Sequence, residues 1–308
     1  MRAIRQEALG GPGVLELVDV PQPEPAPTEV LVRVAAAGVN PVDWKVRTRG
    51  GFLEPPFTIG WDVAGTVEAL GGGVTRFAVG DRVFGMPRFP REAAAYAEYV
   101  TSPSRQLARI PEGLADVDAA ALPLAGLTAW QALVETADVQ PGQRVLVLGA
   151  AGGVGHLAVQ IAKARGAYVI GTARSVKHRF LSELGADEAV DYSLAPVEET
   201  VGDVDVVLDL IGGEATAGTL RTLRDGGLYI VVPSAASVES LRELAGGRVR
   251  VTGILVEPDR VGMEALAGLV ESRHLRPHVS QTFPLEEAAR AHEAGETGRT
   301  QGKLVLTI

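Results

Sequence analysis

Residues 144–167, RVLVLGAAGGVGHLAVQIAKARGA, limit what this chain can fold into more than any other stretch. They open on an unbroken apolar run, Val145-Leu146-Val147-Leu148, with the length and β-branched content of a strand buried on both faces. A cluster of small residues follows, from Gly149 to Gly155. A helical pattern comes next, with Val154, Leu157, Ala158, Ile161 and Ala162 on one side. Strand, tight glycine turn and helix, in that order, are the context that makes a glycine pattern a dinucleotide-binding motif. Gly152 lets the backbone approach a pyrophosphate, and Gly155 lets the helix lie close to the strand. The first amides of the helix and its dipole then attract the anion. Ala150 stands where the motif usually has its first glycine, so the pattern reads A-x-G-x-x-G. Ala150, Gly152, Gly153, Val154 and Gly155 are the expected phosphate contacts.

The alternation of strand and helix continues past this unit. Strands are expected at 145–148, 168–172, 188–190, 204–208, 228–232 and 249–255, with helices at 154–165, 177–184, 215–223, 238–244 and 262–271. Six parallel strands with helices on both faces form a doubly wound Rossmann sheet in an α/β chain. Residues 1 to about 120 read differently. They are rich in Pro, Gly and Val, with short strand-like runs at 15–20, 30–37, 64–70, 81–85 and 96–100 separated by turn signals such as Gly71-Gly72-Gly73. This is the pattern of a small, partly open β-barrel with few helices. Helical character is expected again at 127–136, and the tail reads as a strand at 279–283, a helix at 285–294 and a closing strand at 303–308. A length of 308 residues accommodates two domains. The expected division is 1–120 with 257–308, and 121–256.

Composition excludes several classes of function. A net charge of -9 disfavours a nucleic-acid partner, which needs clustered Lys and Arg. Cysteine is absent, so there is no disulfide framework, thiolate metal site or Cys nucleophile. No apolar run is long enough to span a membrane and the N-terminal stretch lacks a signal-peptide core, so a soluble cytoplasmic protein is expected.

The end of the second Rossmann strand bears on which nucleotide binds. A preference for NAD usually goes with Asp or Glu about 20 residues past the glycine turn, on the ribose 2′-hydroxyl. Here the place reads Gly171-Thr172-Ala173-Arg174-Ser175-Val176-Lys177-His178-Arg179, with no acid before Glu183. Arg174 and Lys177 can pair with a 2′-phosphate, and Thr172 or Ser175 can donate to it. NADPH is the expected cofactor.

A set of short motifs runs through the chain in order. They are Ala37-Gly38-Val39-Asn40-Pro41-Val42-Asp43, Gly60-Trp61-Asp62-Val63-Ala64-Gly65, Val79-Gly80-Asp81-Arg82-Val83, Tyr96-Ala97-Glu98-Tyr99, Leu122-Pro123-Leu124-Ala125-Gly126-Leu127-Thr128-Ala129, the glycine turn, Val190-Asp191-Tyr192 and Gly302-Lys303-Leu304-Val305-Leu306. Over essentially its whole length the chain resembles the medium-chain dehydrogenase/reductase superfamily, in its zinc-independent quinone oxidoreductase branch. The resemblance implies a GroES-like catalytic domain beside the Rossmann domain. It also implies a homodimer paired edge to edge through strand 249–255, which would cover an otherwise exposed apolar edge.

Alcohol dehydrogenases of this superfamily hold a catalytic zinc with Cys and His. Asn40 and Trp61 stand at the corresponding places here, so no metal is expected. The five histidines are read as structural or surface residues. What remains is hydride transfer from NADPH to a quinone, or to the β-carbon of an α,β-unsaturated carbonyl (an enone or alkenal). By resemblance, Asn40, a candidate catalytic residue, and the loop through Asp43 lie against the nicotinamide and the pocket. Lys45 occupies the place where quinone reductases often carry Tyr, as in enone and alkenal reductases, and is expected either to donate to a developing enolate oxygen or to serve only as a surface lysine or a contact to the nicotinamide ribose. Further cofactor contacts carried over, besides Thr172, Ala173, Arg174 and Lys177, are Thr128, Tyr192, Ile211, Gly212, Pro233, Ser234, Leu255, Val256 and Lys303. Trp44, Phe52, Trp61, Met86 and Phe89 are expected to shape the substrate pocket or the barrel core. The competing readings are an enoyl-thioester reductase, for which Arg88 and Arg91 are the one basic hint, and a non-catalytic NADPH-binding sensor.

Overall fold

A computed structural model describes residues 1–213, 215–232 and 238–308. The chain divides into two compact units. The first comprises Met1–Leu127, Glu257–Arg273 and Pro277–Ile308, and the second comprises Thr128–Val256 and His274–Arg276.

The second unit is built on six strands: β1 (Arg144–Leu148), β2 (Tyr168–Thr172), β3 (Glu188–Val190), β4 (Val204–Asp209), β5 (Leu223–Val231) and β6 (Arg250–Gly253). All pair in parallel, in the spatial order β3-β2-β1-β4-β5-β6. Helices cover such a sheet on both faces, so its central strands are apolar without alternation. Val145, Leu146 and Val147 of β1 are accordingly fully buried, as are Val207 and Leu208 of β4. The helix Gly155–Ala164 is buried from Gly155 to Ala162, because it packs directly on β1 and β2.

The first unit holds two sheets. Arg2–Gln6 pairs antiparallel with Glu16–Asp19 and with Phe57–Thr58. A seven-stranded sheet runs Val279–Pro284, Lys303–Thr307, Glu29–Val39, Asp62–Leu70, Arg82–Gly85 and Leu107–Arg109, with Tyr99–Pro103 also on Glu29–Val39. Ala3 of the smaller sheet also makes an isolated antiparallel bridge to Ala97. Registers in the larger sheet position a site. Leu304 lies opposite Val39, which puts Lys303 beside Asn40, and Asp62 lies opposite Gly38. A side chain at Gly38 would stand 2.7 Å from the Asp62 carboxylate and overlap the Ala120 carbonyl, so this approach requires glycine.

Some elements depart from the sequence-based expectation. The helix Pro41–Arg49 has no apolar stripe, which is why periodicity misses it. Its signal is instead the extended Asn40 at the N-cap, Pro41 at the first helical position and Asp43 two residues on. Short strands at Arg2–Gln6, Phe57–Thr58 and Leu107–Arg109 also escape a pattern search, having too few residues to show alternation. The helix expected at 127–136 is Pro123–Trp130 continued by a π-helical turn, Gln131–Thr136.

Candidate functional site

In the second unit a cavity of about 700 Å³ opens at the carboxyl ends of β1, β2 and β4, with Leu148, Gly149, Thr172, Tyr192, Asp209 and Ile211 in its wall. The strand order reverses between β1 and β4, and that switch point is where doubly wound sheets bind ligands. The turn after β1 is shaped by what glycine leaves out. Gly149 has φ +72°, which L side chains rarely adopt. A Cβ on Gly155 would overlap the Gly149 carbonyl and lie 2.7 Å from Ala150 Cα, and one on Gly152 would stand 3.3 Å from that carbonyl. The neighbouring strand braces the turn: Gly149 N–H donates to Thr172 Oγ1 at 3.1 Å and Ala150 N–H to the Thr172 carbonyl at 3.1 Å.

Asp209 shapes the opposite wall. Its Oδ1 accepts from the amides of Ile211 (2.9 Å) and Gly212 (2.8 Å), and its Oδ2 accepts from Thr216 Oγ1 (3.2 Å) and Tyr229 Oη (2.9 Å). Arg174 and Lys177 follow β2. Burial, and then the neighbouring Arg174, lower the proton affinity of Lys177, and an anion bound beside them would oppose both effects. A close-approach turn, a helix start and a cation pair after β2 fit a dinucleotide.

The first unit contains a polar cluster around Asn40, enclosed to 2 % exposure or less at Asn40, Asp43, Arg47, Asp62, Tyr96, His292 and Lys303. Lys303 Nζ donates to the Val39 carbonyl at 3.0 Å and to Asn40 Oδ1, and lies 3.5 Å from Asp62 Oδ2. That fixes the Asn40 amide, because its Nδ2 then donates to Asp62 Oδ2 at 2.8 Å. Asp62 Oδ1 also accepts from Leu124 N–H at 2.8 Å. Burial pushes the Asp62 carboxyl up and the Lys303 ammonium down, and their mutual attraction opposes both shifts.

Asp43 is held differently. Its Oδ2 accepts from Asn40 N–H (2.6 Å) and Tyr96 Oη (2.9 Å), while among the described residues its Oδ1 has no hydrogen-bond partner. Burial therefore pushes its carboxyl up to about 7. Arg47 can only donate, so its 2.9 Å contact makes His292 Nδ1 an acceptor and places the ring proton on Nε2. That nitrogen faces Tyr96 Oη at 3.4 Å. Burial, and then the charge of Arg47, hold His292 down at about 3, so the ring is neutral. The histidines gave no functional signal in the sequence. His292 is brought here by the last helix, Ala288–Glu296, against the first, Pro41–Arg49.

Among the other expected site residues, Thr172, Tyr192, Ile211 and Gly212 line the cavity described above. Tyr192 and Ile211 are exposed, Leu255 is exposed, and Thr128, Ala173 and Val256 are buried. Gly153 and Val154 are half-buried at the start of the Gly155–Ala164 helix. Pro233 and Ser234 lie outside the described residues. Lys45 is exposed on the first helix. Trp61, Met86 and Phe89 are buried, and Phe89 stacks edge-on with Trp61 (5.3 Å) and with the exposed Phe52 (5.8 Å). Trp44 packs on the last helix, against His292 and Gly295. Arg88 is engaged by Glu29 at 2.5 Å and by the Thr101 carbonyl. Among the described residues no group of three or more His, Asp or Glu is disposed to hold a metal ion, and no helix is long and apolar enough to cross a membrane.

Two family models match the chain: the alcohol dehydrogenase GroES-like domain over residues 26–112, and the zinc-binding dehydrogenase over residues 184–306. The chain is 36% identical to the quinone oxidoreductase of Rattus norvegicus, over 100% of this chain and 98% of that protein. The solved quinone oxidoreductase of Coxiella burnetii superposes with a TM-score of 0.94 at 38% identity, covering 100% of this chain and 99% of the other. That of Escherichia coli, solved with NADPH, gives a TM-score of 0.89 at 29% identity, covering 100% of both. The chain thus belongs to the medium-chain dehydrogenase/reductase superfamily, in its quinone oxidoreductase branch.

Proposed function

We propose that the protein is an NADPH-dependent, zinc-independent oxidoreductase that passes a hydride to a quinone or to the β-carbon of an α,β-unsaturated carbonyl. The observation that carries this reading is the cavity at the β1/β4 switch point, with Gly149 of the glycine turn in its wall and Arg174 and Lys177 after β2. The turn would receive the pyrophosphate, Tyr192 would meet the adenine, and the two cations would hold the 2′-phosphate. Bound there, the reduced nicotinamide supplies the hydride.

The other roles fall to the first unit. Asn40 is held in one amide orientation by Lys303 and Asp62, which suits a residue that must keep a ring aligned. Lys45 donates to the oxygen that gains charge as the hydride arrives, and a proton from solvent completes the two-electron reduction. The relative solved with NADPH supports the choice of nucleotide. Arg88, held by Glu29, is not free to form a groove for a thioester carrier.

Fluorescence titration tests the nucleotide. NADPH is expected to bind about tenfold or more tightly than NADH, because each charge-assisted hydrogen bond contributes about 1.5–3 kcal/mol. Replacing Arg174 and Lys177 together by Ala should remove most of that difference and leave NADH nearly unchanged. Equal binding of the two nucleotides by the unaltered protein defeats the assignment. Turnover is tested by NADPH oxidation with 1,4-naphthoquinone, a 2-alkenal and crotonyl-CoA. Tight NADPH binding with no turnover on any of them would make the protein a sensor. Lys45→Ala should lower kcat/KM with the 2-alkenal, and an unchanged value removes Lys45 from the chemistry.

A further inference from the structure

We propose that Asp191 sets the preference for a 2′-phosphorylated nucleotide by holding the loop that carries Arg174 and Lys177; this rests on the NADPH assignment above. Asp191 directly follows β3, and its carboxylate accepts hydrogen bonds from two loops at once. Oδ2 accepts from Ser175 N–H at 2.6 Å and from Ser175 Oγ, and Oδ1 accepts from Ser193 N–H at 2.9 Å and Ser193 Oγ at 2.6 Å. Pairing of β2 with β3 ends at Thr172 opposite Val190, and Ala173 N–H then reaches the Val190 carbonyl at 3.0 Å. The Asp191 side chain adds one more rung, continuing the pairing into the loop where backbone groups no longer meet.

Two consequences follow for the nucleotide. Ser175 opens the 3₁₀ turn Ser175–Lys177, in which Lys177 N–H bonds the Arg174 carbonyl at 2.8 Å, so fixing Ser175 fixes where both cations stand. Ser193, the other end of the tie, lies in the cavity wall with Tyr192. The cation-bearing loop is thereby tied to the wall of the pocket it serves. The Ser175 hydroxyl, expected from sequence as a donor to the 2′-phosphate, is committed to Asp191 instead, which leaves that anion to Arg174 and Lys177. Donors from Ser175 and Ser193 hold the Asp191 carboxyl below the usual range, so it stays an acceptor on both oxygens at any working pH. A carboxylate meets this geometry because two pairs of donors face it. An amide offers one oxygen and would keep one half of the tie.

Asp191 acts through the loop and is a positioning residue. The test compares adenosine 2′,5′-bisphosphate with 5′-AMP by isothermal titration against the unaltered protein, Asp191→Ala and Asp191→Asn, with melting curves to confirm that each is folded. Asp191→Ala should weaken the bisphosphate about tenfold while 5′-AMP changes less than about twofold, and Asp191→Asn should fall between, keeping one of the two ties. Equal weakening of both probes means Asp191 only supports the pocket, and overturns the proposal. Tighter bisphosphate binding by both variants means its charge repels the phosphate, and overturns it with the opposite sign. If the unaltered protein fails to distinguish the two probes, the NADPH assignment itself falls and the proposal with it. That failure shows before any substitution is made.

Discussion

Lys303 shows how one side chain orders a buried polar site. Its ammonium serves the Val39 carbonyl, the Asn40 amide oxygen and the Asp62 carboxylate, all shielded from water. Removing one partner of a buried ion pair leaves the other charge without compensation, at a cost of about 3–5 kcal/mol. Lys303→Met should lower the urea-unfolding free energy by that order. Adding Asp62→Asn should recover a large part, since the stranded charge is then gone. Purely additive losses would show that the two residues are not coupled. Asn40, as a catalytic candidate, and Lys303, as a cofactor contact, were both expected in the sequence from the family resemblance. Their mutual bond was not visible there, because 263 residues separate them and only the antiparallel pairing of Val39 with Leu304 joins them.

Among elements, the strand–turn–helix around Gly149 to Gly155 was legible in full, since all its determinants are local: apolar run, small residues, helical periodicity. The consequences of its glycines differ and can be separated. Gly155→Ala drives a methyl into backbone, which cannot yield cheaply, so it should cost about 1–3 kcal/mol of stability and weaken nucleotide binding as well. Gly152→Ala meets only the Gly149 carbonyl at 3.3 Å, so the fold should lose less than about 1 kcal/mol while NADPH affinity falls, the methyl lying where backbone must approach the pyrophosphate. Thermal unfolding and NADPH titration of both variants check this. If Gly152→Ala bound NADPH undiminished, the turn would not be a phosphate cradle. The helix Pro41–Arg49 is the opposite case, with its capping signals present but no apolar stripe to announce it.

For the molecule as a whole, two buried groups give opposing pH dependences. The Asp43 carboxyl lies at about 7 in the native state against 3.8 ordinarily, so in that interval the folded chain holds a proton the unfolded chain has lost. Its contribution is present at low pH and fades as the pH rises through 7. His292 lies at about 3 against 6.5, so between those values the unfolded chain holds the extra proton, and this contribution fades as the pH falls. Over the shared interval the two largely cancel. Asp43→Asn removes one side of the balance, and its stability should fall from pH 6.5 downward with a slope up to about 1.4 kcal/mol per pH unit steeper than that of the unaltered protein. Urea midpoints across that range measure it. Parallel profiles would mean that Asp43 is ionised in the folded state.

By itself the sequence determined the Rossmann half of this protein, the position and type of its glycine turn, the absence of thiolate ligands and the cations after β2. Each is written in neighbouring residues, through periodicity, steric allowance and charge. Tertiary structure alone decided the rest. It joined Asn40, Asp62 and Lys303 in one shielded group, brought His292 to Tyr96, and gave the Ser175 hydroxyl to Asp191. Those contacts depend on strand register and helix packing between distant segments, and the energies that select them come from burial, which the order of residues does not display.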